Sequence, residues 1–114
     1  MIVAYRSKYH SKKVTHNGMT FDSVKEYRRF CELSLLEKAG KIHGLQWQVK
    51  FDLLPTQRDA AGKLLERAVS YVADFTYYEN GKLVVEDVKG FKTPEYKLKK
   101  KMLLYFHKLR IKET

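Results

Sequence analysis

The chain has 114 residues, 44% hydrophobic and 32% charged, which is the composition of one folded domain and excludes a disordered segment. Its 23 lysines and arginines against 13 acidic residues give a net charge of +10, which favours a polyanionic partner, nucleic acid before an anionic membrane. The single cysteine excludes an internal disulfide, and neither a signal segment nor a run of about 18 apolar residues occurs. We therefore expect a soluble cytoplasmic protein that does not bind membranes.

The first residues of the chain are basic and aromatic. Residues 1–13, MIVAYRSKYHSKK, interleave lysine and arginine with tyrosine. Such an arm can follow a phosphate backbone and stack on bases, and a frayed, solvated terminus is an equally good interpretation. Asn17-Gly18 then lies between short β-prone segments and predicts a small hairpin. We accordingly divide the chain into a basic arm, residues 1–13, and a folded domain, residues 14–114.

The segment FDSVKEYRRFCELSLLEKAG predicts a helix over residues 23–39. Its Glu26 has two interpretations. Ser23 and Glu26 have the spacing of a capping box, in which the glutamate reaches back to the amide that begins the helix. Glu26 also shares a helical row with Phe30 and Leu33, which favours an inward orientation. Both interpretations stay open on these residues alone.

The segment GLQWQVKFDLLP changes to a period of two and predicts a strand that ends at Pro55. Its odd-numbered apolar residues are expected on one face and its polar residues on the other. Residues 56–67 then predict a polar connection with a turn near Asp59 to Gly62. The expected apolar face comprises Leu45, Trp47, Val49, Phe51 and Leu53.

The segment YVADFTYYENGKLVVEDVKG contains Asn80-Gly81, the strongest short signal for a hairpin. A two-residue turn there places Asp74 directly opposite Asp87. Like charges in that relation, with Cβ atoms about 5 Å apart, are destabilising unless a cation lies between them. Mg²⁺ is commonly held by one or two carboxylates, with waters and phosphate completing the shell. The spacing therefore predicts a metal site, whereas a longer turn would shift the register and leave both acids at a solvated edge.

Two neighbours of Asp87 are assigned by the same alternation. Counting by two from Asp87 reaches Lys89, which joins the carboxylates on one face. Glu86 lies on the opposite face with Val84 and Val88, so it is the weaker ligand candidate. A bulge could reverse the choice between Glu86 and Asp87.

The segment TPEYKLKKKMLLYFHKL predicts a second helix, with Thr93 as N-cap and Pro94 at the first helical position. An apolar stripe on this helix is expected to face the core, and lysines on the opposite side form a basic face that suits the phosphates of a nucleic acid. The final RIKET segment can add a short edge strand. The expected stripe is Leu98, Met102, Tyr105 and Leu109, and the basic face is Lys97, Lys100, Lys101 and Lys108.

The chain resembles the PD-(D/E)XK nuclease superfamily in the order and spacing of its charged residues. Asp74 is followed, after twelve residues, by Asp87-Val88-Lys89. A helix that carries an acid precedes them, and a basic helix follows. The likeness is greatest to small phage-type endonucleases and Holliday-junction-resolvase-like members, and it covers roughly residues 14–111. Asp-x-Lys alone is common by chance, so the order and spacing of the elements carry the match. Ala73 stands where the motif's name has proline. The similar segments are FDSVKEYRRF, LLEKAGKI, LQWQVKF, YVADF and VVEDVKGFKT.

The resemblance implies an α/β fold, a restriction-endonuclease-like αβββαβ core with a mixed sheet flanked by helices. It implies that Asp74 and Asp87 are the motif acids, Lys89 the motif lysine and Glu26 the acid from the first helix, with Gln48 as a neighbour of the site. The activity it implies is a Mg²⁺-dependent DNA endonuclease, with Mn²⁺ as substitute and branched or junction DNA as the suggested substrate. A phage-encoded protein would act in the host cytoplasm, and resolvase-like relatives suggest a homodimer because two strands must be cut.

Two other functions stay open on the sequence. A basic DNA-binding module could keep the nuclease fold without turnover, but the intact set of two acids and a lysine favours the enzyme. An RNA-binding accessory protein rests only on charge and tyrosines, because no RNA-recognition motif is present.

Overall fold

The computed structural model describes residues 3–6, 12–89 and 92–114, with side chains from residue 13 onward within those ranges. In chain order the elements are β1 (Val3–Arg6), β2 (Lys12–His16), β3 (Met19–Phe21), α1 (Val24–Lys38), β4 (His43–Leu54), β5 (Gln57–Arg58), β6 (Leu64–Glu66), β7 (Val69–Glu79), β8 (Lys82–Asp87), α2 (Pro94–His107) and β9 (Ile111–Glu113). Neither described helix is long and apolar enough to cross a membrane.

The central element is a mixed four-stranded sheet with the strand order β4-β7-β8-β9. Strands β4, β7 and β8 pair antiparallel, whereas β9 lies parallel to β8. A parallel pair needs a long crossover connection, and α2 supplies it between β8 and β9. Together with α1 before β4, this gives the αβββαβ order that was predicted, including the short edge strand.

Two apolar clusters lie on opposite faces of this sheet. Phe75 packs with Leu33 of α1, whereas Val85 packs with Leu103 of α2. Val85 is the register partner of Thr76, the neighbour of Phe75. Because consecutive strand residues point to opposite faces, the two helices cover opposite sides of the sheet. The α1 cluster contains Leu33, Ile42, Phe75 and Tyr77, and the α2 cluster contains Leu53, Tyr71, Ala73, Val85, Tyr96, Leu103 and Ile111.

Strand β4 does not keep its apolar residues on one face, so that prediction is wrong. Trp47 packs against the α1 cluster, whereas Phe51 packs against the α2 cluster on the other side of the sheet. Gln48 lies between them with a φ of +53°. This left-handed conformation is uncommon for a residue other than glycine, and it breaks the period of two. The strand therefore exchanges faces at Gln48.

Strand β7 exchanges faces at the matching position. Ala73 belongs to the α2 cluster and Phe75 to the α1 cluster, although a regular strand would place both on the same side. Asp74 is the residue between them. The register of the two strands places Asp74 beside Gln48, with paired residues on either side. The irregularity therefore spans two strands and coincides with the first predicted motif acid.

Both predicted Asn-Gly hairpins are confirmed. Asn17 and Gly18 have φ values of +51° and +78°, and Asn80 and Gly81 have values of +53° and +77°. Two successive left-handed residues form the turn whose twist suits a two-residue hairpin loop. The first hairpin joins β2 to β3, and the second joins β7 to β8.

The N-terminal region forms its own antiparallel sheet with the order β1-β2-β3. Residues 3–6 and 12–13, which were assigned to the basic arm, therefore lie in strands, and the rest of that arm lies outside the described residues. Phe21 of β3 is fully buried and packs its ring against Phe30 of α1 and Trp47 of β4. The small sheet is thereby attached to the side of the main sheet that α1 covers.

The connection between β4 and β7 is polar, as predicted, and every residue from 55 to 68 is exposed. Its short strands β5 and β6 pair antiparallel. The amide of Gly62 donates to the carbonyl oxygen of Asp59 at 3.0 Å, which closes the predicted turn.

Helix α2 begins as predicted, with Thr93 as N-cap and Pro94 in its first turn, but its core-facing stripe was predicted wrongly. Leu98 and Tyr105 are 59% and 70% exposed. Tyr96 and Leu103, seven residues apart on another face, are buried instead. The helix carries apolar residues on both faces, and packing against the sheet selects the one that contains Tyr96. Met102 and Leu109 pack at the margin of the α2 cluster.

Candidate active site

The two predicted acids meet where β7 and β8 run side by side. The strand register pairs Glu79 with Lys82, as a two-residue turn requires. Further along, the amide of Asp74 donates to Asp87 Oδ1 at 3.4 Å, and the amide of Val88 donates to Asp74 Oδ2 at 2.8 Å. Asp87 is buried and Asp74 is half-buried. The two carboxylates therefore lie together at one end of the hairpin, and we call them the carboxylate pair.

Lys89 and Tyr71 share the second oxygen of Asp87. The Lys89 ammonium lies 3.3 Å from Asp87 Oδ2, and the Tyr71 hydroxyl donates to the same atom. The Lys89 side chain is 23% exposed, so it reaches from this buried oxygen towards solvent. The predicted position of Lys89 beside Asp87 is thus observed.

Glu26 is buried, with 3% of its surface exposed. The Ser23 hydroxyl accepts from the Glu26 amide at 3.0 Å, which is one half of a capping box. The Glu26 carboxylate accepts a hydrogen bond from Trp47 Nε1 at 3.4 Å and another from the backbone of Asp22. Burial, then the charge of Asp22, raise the pKa of Glu26 to about 7, and Asp87 adds a smaller contribution. Ser23 therefore caps the helix, and the Glu26 carboxylate is buried within electrostatic range of the pair.

The carboxylate pair is electrostatically unfavourable without a proton or a cation. Burial raises the pKa of Asp74 above its ordinary value, and the hydrogen bond and charge of Asp87 raise it further. Glu26 contributes in the same direction. Even with the Lys89 ammonium beside Asp87, the ionised form of Asp74 is disfavoured, so Asp74 retains its proton unless a further positive ion binds.

The pair suits a hard divalent cation, which prefers carboxylate oxygens and keeps several waters. Among residues 13–89 and 92–114, no group of three histidine, cysteine, aspartate or glutamate side chains could hold a metal ion as they stand. A cation at this site would therefore take its protein ligands from Asp74 and Asp87. Water and substrate oxygens would complete its shell, with Glu26 within electrostatic range of the pair.

Glu86, the alternative second acid, has a different role. It is fully buried, and Arg29 donates to both of its oxygens, from Nε at 2.6 Å and from Nη2 at 3.0 Å. Tyr77 and Thr114 also donate to it, at 2.6 and 3.1 Å. Burial alone would raise the pKa of Glu86, but the hydrogen bonds from Arg29 and Tyr77 outweigh it and lower the pKa. Its acceptor positions are occupied, so Glu86 anchors α1 to the sheet.

Tyr71, which the sequence reasoning did not select, contacts the site because the strand is irregular. Tyr71 and Asp74 are three positions apart, so a regular strand would place them on opposite faces. The exchange of faces at Asp74 brings Tyr71 to the side of Asp87 instead. No sequence signal marks this exchange, because Gln48 and Asp74 lie between apolar residues in segments whose alternation is unbroken.

The predicted basic face of α2 is not uniform. Lys97 and Lys101 are exposed and make no ion pair within the described part of the chain. Lys100 lies 3.3 Å from Glu113, and Lys108 ends the helix in a left-handed conformation with a φ of +59°. Lys97 and Lys101 are therefore the members best placed to contact another molecule.

The fold and the site together define a class: a small single-domain α/β protein with a mixed sheet between two helices and a pair of adjoining carboxylates on its central hairpin. The model of the family described as "Protein of unknown function (DUF1064)" matches residues 6–113, and the chain belongs to that family. A search of the curated proteins and a search of the solved structures each gave no match.

Proposed function

We propose that this protein is a Mg²⁺-dependent DNA endonuclease of the PD-(D/E)XK type that hydrolyses phosphodiester bonds in branched or junction DNA. One arrangement carries the proposal: Asp74 and Asp87 lie together, and the Lys89 ammonium is 3.3 Å from Asp87 Oδ2. These are three of the four charged residues that the resemblance selects, the fourth being Glu26, and they occur in the αβββαβ order that it requires.

The carboxylate pair would hold the metal ion. Mg²⁺ prefers oxygen ligands and leaves room for water and phosphate in its shell, and Mn²⁺ accepts the same ligands. When bound, the ion would supply a water of lowered pKa and stabilise negative charge on the phosphate. Asp74 would give up the proton that its raised pKa favours. Glu26 would add negative charge within electrostatic range of the pair.

Lys89 would act on the substrate side. Its ammonium is anchored at Asp87 but 23% of the side chain remains exposed, so it can approach a phosphate. From there it would orient the attacking water or neutralise charge that develops on the phosphate oxygens. For this role the Lys89 ammonium must be held in one position, and its contact with Asp87 supports that.

The net charge of +10 supports a polyanionic substrate. Lys97 and Lys101 on α2 would contact phosphates, and the basic residues of the N-terminal arm would add affinity. A second copy of the chain would be needed to cut two strands, so a homodimer belongs to the proposal. Sedimentation of the protein alone and on a four-way junction tests it.

A catalytically inactive DNA-binding module is the second candidate. One observation favours it: among the described residues, the site offers two adjoining carboxylates and not a ready-made group of three ligands. Such a protein would bind DNA equally well with Mg²⁺ or with a chelator. An enzyme would bind in both conditions but cut in only one.

The experiment that decides between them uses purified protein with supercoiled, linear, single-stranded and four-way-junction DNA, in Mg²⁺, Mn²⁺ or a chelator. We expect metal-dependent cutting that is strongest on the junction. Asp87→Asn, purified in parallel, tests for contaminating nuclease, and Asp52→Asn is the matched control because Asp52 is an exposed acid on β4. If the wild-type protein cuts none of the four substrates with either metal, the enzyme is excluded and the binding module is favoured.

A further inference from the structure

We propose that Tyr96 is a positioning residue whose ring holds the Lys89 ammonium against Asp87. The catalytic consequence rests on the proposed nuclease function, but the contact itself does not. Lys89 Nζ lies 4.2 Å from the centroid of the Tyr96 ring and 3.3 Å from Asp87 Oδ2. The ammonium is thus held between an aromatic face and a carboxylate, both of which attract a cation.

Lys89 needs such support because it lies just beyond the end of β8. Its backbone is fixed, since its amide donates to the carbonyl oxygen of Thr114 at 3.1 Å and its own carbonyl oxygen accepts from Lys25 at 3.4 Å. Its side chain is a flexible four-carbon stem with many rotamers. The ion pair fixes the ammonium against one oxygen only, so the Tyr96 ring gives the same ammonium a second point of contact that Asp87 alone would not provide.

Asp87 Oδ2 also cannot hold Lys89 without competition. The Tyr71 hydroxyl donates to the same oxygen, so the ammonium shares its acceptor. The rings of Tyr71 and Tyr96 lie 6.4 Å apart. The two tyrosines therefore form one wall of the site, in which Tyr71 restrains the carboxylate and Tyr96 restrains the lysine.

Tyr96 is itself rigidly held. It is 7% exposed, and its amide donates to the Thr93 hydroxyl at 3.1 Å in the first turn of α2. At the other end of the ring, the Tyr96 hydroxyl donates to Glu113 at 2.6 Å. Glu113 is in turn 3.1 Å from Lys92 and 3.3 Å from Lys100. A ring fixed at both ends can define where a cation rests on its face.

A plain core role is the competing explanation, because Tyr96 is a member of the α2 cluster. That role requires apolar volume and not an aromatic face. Tyr96→Leu keeps most of the apolar volume and removes the aromatic face, whereas Tyr96→Phe keeps the face and removes only the hydroxyl. Tyr105→Leu is the matched control, since Tyr105 lies on the same helix but is 70% exposed and away from the cluster.

The test measures the NMR signals of the Lys89 ε-methylene group and the single-turnover cleavage of junction DNA with its Kd. In the wild-type protein we expect a ring-current shift and a nuclear Overhauser effect between this methylene and the Tyr96 ring. Both should persist in Tyr96→Phe and in Tyr105→Leu. In Tyr96→Leu the shift should vanish and the cleavage rate should fall about tenfold, while Kd for DNA stays unchanged.

The proposal is overturned if the wild-type protein shows no Overhauser effect between Lys89 and Tyr96, a measurement that needs no variant to fold. Where the wild-type protein cuts DNA, the proposal is also overturned if Tyr96→Leu cuts as fast as Tyr96→Phe. If the NMR contact is present but the wild-type protein cuts no DNA, the positioning contact stands and the proposed nuclease function fails. The two failures are thus distinguishable.

Discussion

Glu86 and Asp87 are consecutive in the chain, yet they serve opposite faces of the sheet. Glu86 is enclosed on the α1 side, where Arg29 Nε lies 2.6 Å from it, and Asp87 contacts Tyr71 and Lys89 on the other side. Period-two geometry separates two adjacent acids into a structural anchor and a candidate metal ligand. Replacing each acid by its amide removes one negative charge at either position, but the consequences should differ.

Asp87→Asn should abolish cleavage without abolishing DNA binding. The amide keeps the shape of the side chain but removes the charge that would hold the metal ion, and removing a negative charge near phosphate favours binding. Cleavage should fall by orders of magnitude while Kd for DNA is equal or lower. Lys89→Ala should also remove cleavage. Junction cutting and fluorescence anisotropy with labelled DNA measure both quantities, and full activity of Asp87→Asn would contradict the ligand assignment.

Glu86→Gln should act on stability instead. The change leaves the Arg29 guanidinium without its charged partner in a buried setting, which should lower the free energy of unfolding by about 3 kcal/mol. Cleavage should persist at temperatures where the variant is folded. Glu32→Gln is the matched control, because Glu32 also contacts Arg29, at 3.0 Å, but is 63% exposed.

Urea unfolding measures both variants, and the control should lose no more than about 0.5 kcal/mol. Equal losses for the two glutamates would show that burial of Glu86 does not strengthen its pair with Arg29. Loss of cleavage by the folded Glu86→Gln protein, with Asp87→Asn active, would exchange the roles of the two acids.

The metal-free protein should become less stable as pH rises, because of Asp74. Burial first, then the hydrogen bond and charge of Asp87, raise the pKa of Asp74 from 3.8 to about 8. The folded state therefore binds this proton more tightly than the unfolded chain does. The resulting stabilisation is fully present below about pH 4 and is lost as pH rises through about 8.

Asp74→Asn removes this titration and isolates it from the other groups. With a chelator present, the variant and the wild type should have similar stability at about pH 4. At about pH 8 the variant should be the more stable of the two. Mg²⁺ should raise the melting temperature of the wild type more at the higher pH, because it no longer displaces a proton there. A stability difference between the two proteins that is independent of pH would contradict the raised pKa.

Lys97→Ala combined with Lys101→Ala should weaken DNA binding and make its salt dependence shallower. Each phosphate contact that is lost reduces the slope of log K against log salt by about 0.9. Lys100→Ala should change the slope less, because Lys100 is already paired with Glu113 at 3.3 Å. Anisotropy titrations at several salt concentrations measure the slopes. Unchanged slopes in the double variant would place the DNA contacts elsewhere, with the N-terminal arm as the next region to test.

Gln48→Gly should stabilise the protein by up to about 1 kcal/mol, because glycine accepts a positive φ without strain. Gln48→Val should destabilise it by about 1–2 kcal/mol, because a β-branched residue is strained there. Gln46→Gly is the control, since Gln46 is exposed on the same strand and is not among the residues with positive φ. That variant should lose stability. Thermal unfolding measures the change in stability of both glycine variants. A gain for Gln48→Gly and a loss for Gln46→Gly would support the exchange of faces at Gln48, and equal losses would contradict it.

The order of elements and the register of the hairpin follow from the sequence alone, for local reasons. Asn80-Gly81 accepts two successive left-handed residues, so the turn length and the meeting of Asp74 with Asp87 depend on residues within one hairpin. Ser23 and Thr93 begin their helices by accepting hydrogen bonds three residues on. The opposite orientation of Glu86 also follows from simple alternation.

The tertiary structure decided what depends on packing between distant segments. The apolar residues of α2 lie on two faces, and only contact with the sheet selects Tyr96 and Leu103 over Leu98 and Tyr105. Gln48 carries no sequence mark of its left-handed backbone, which places Trp47 and Phe51 against the clusters on opposite faces of the sheet. That exchange of faces brings Tyr71 to Asp87, and the docking of α2 brings Tyr96 to Lys89. Local chemistry in the sequence therefore determined the pair of carboxylates, whereas their tyrosine surroundings depend on long-range packing.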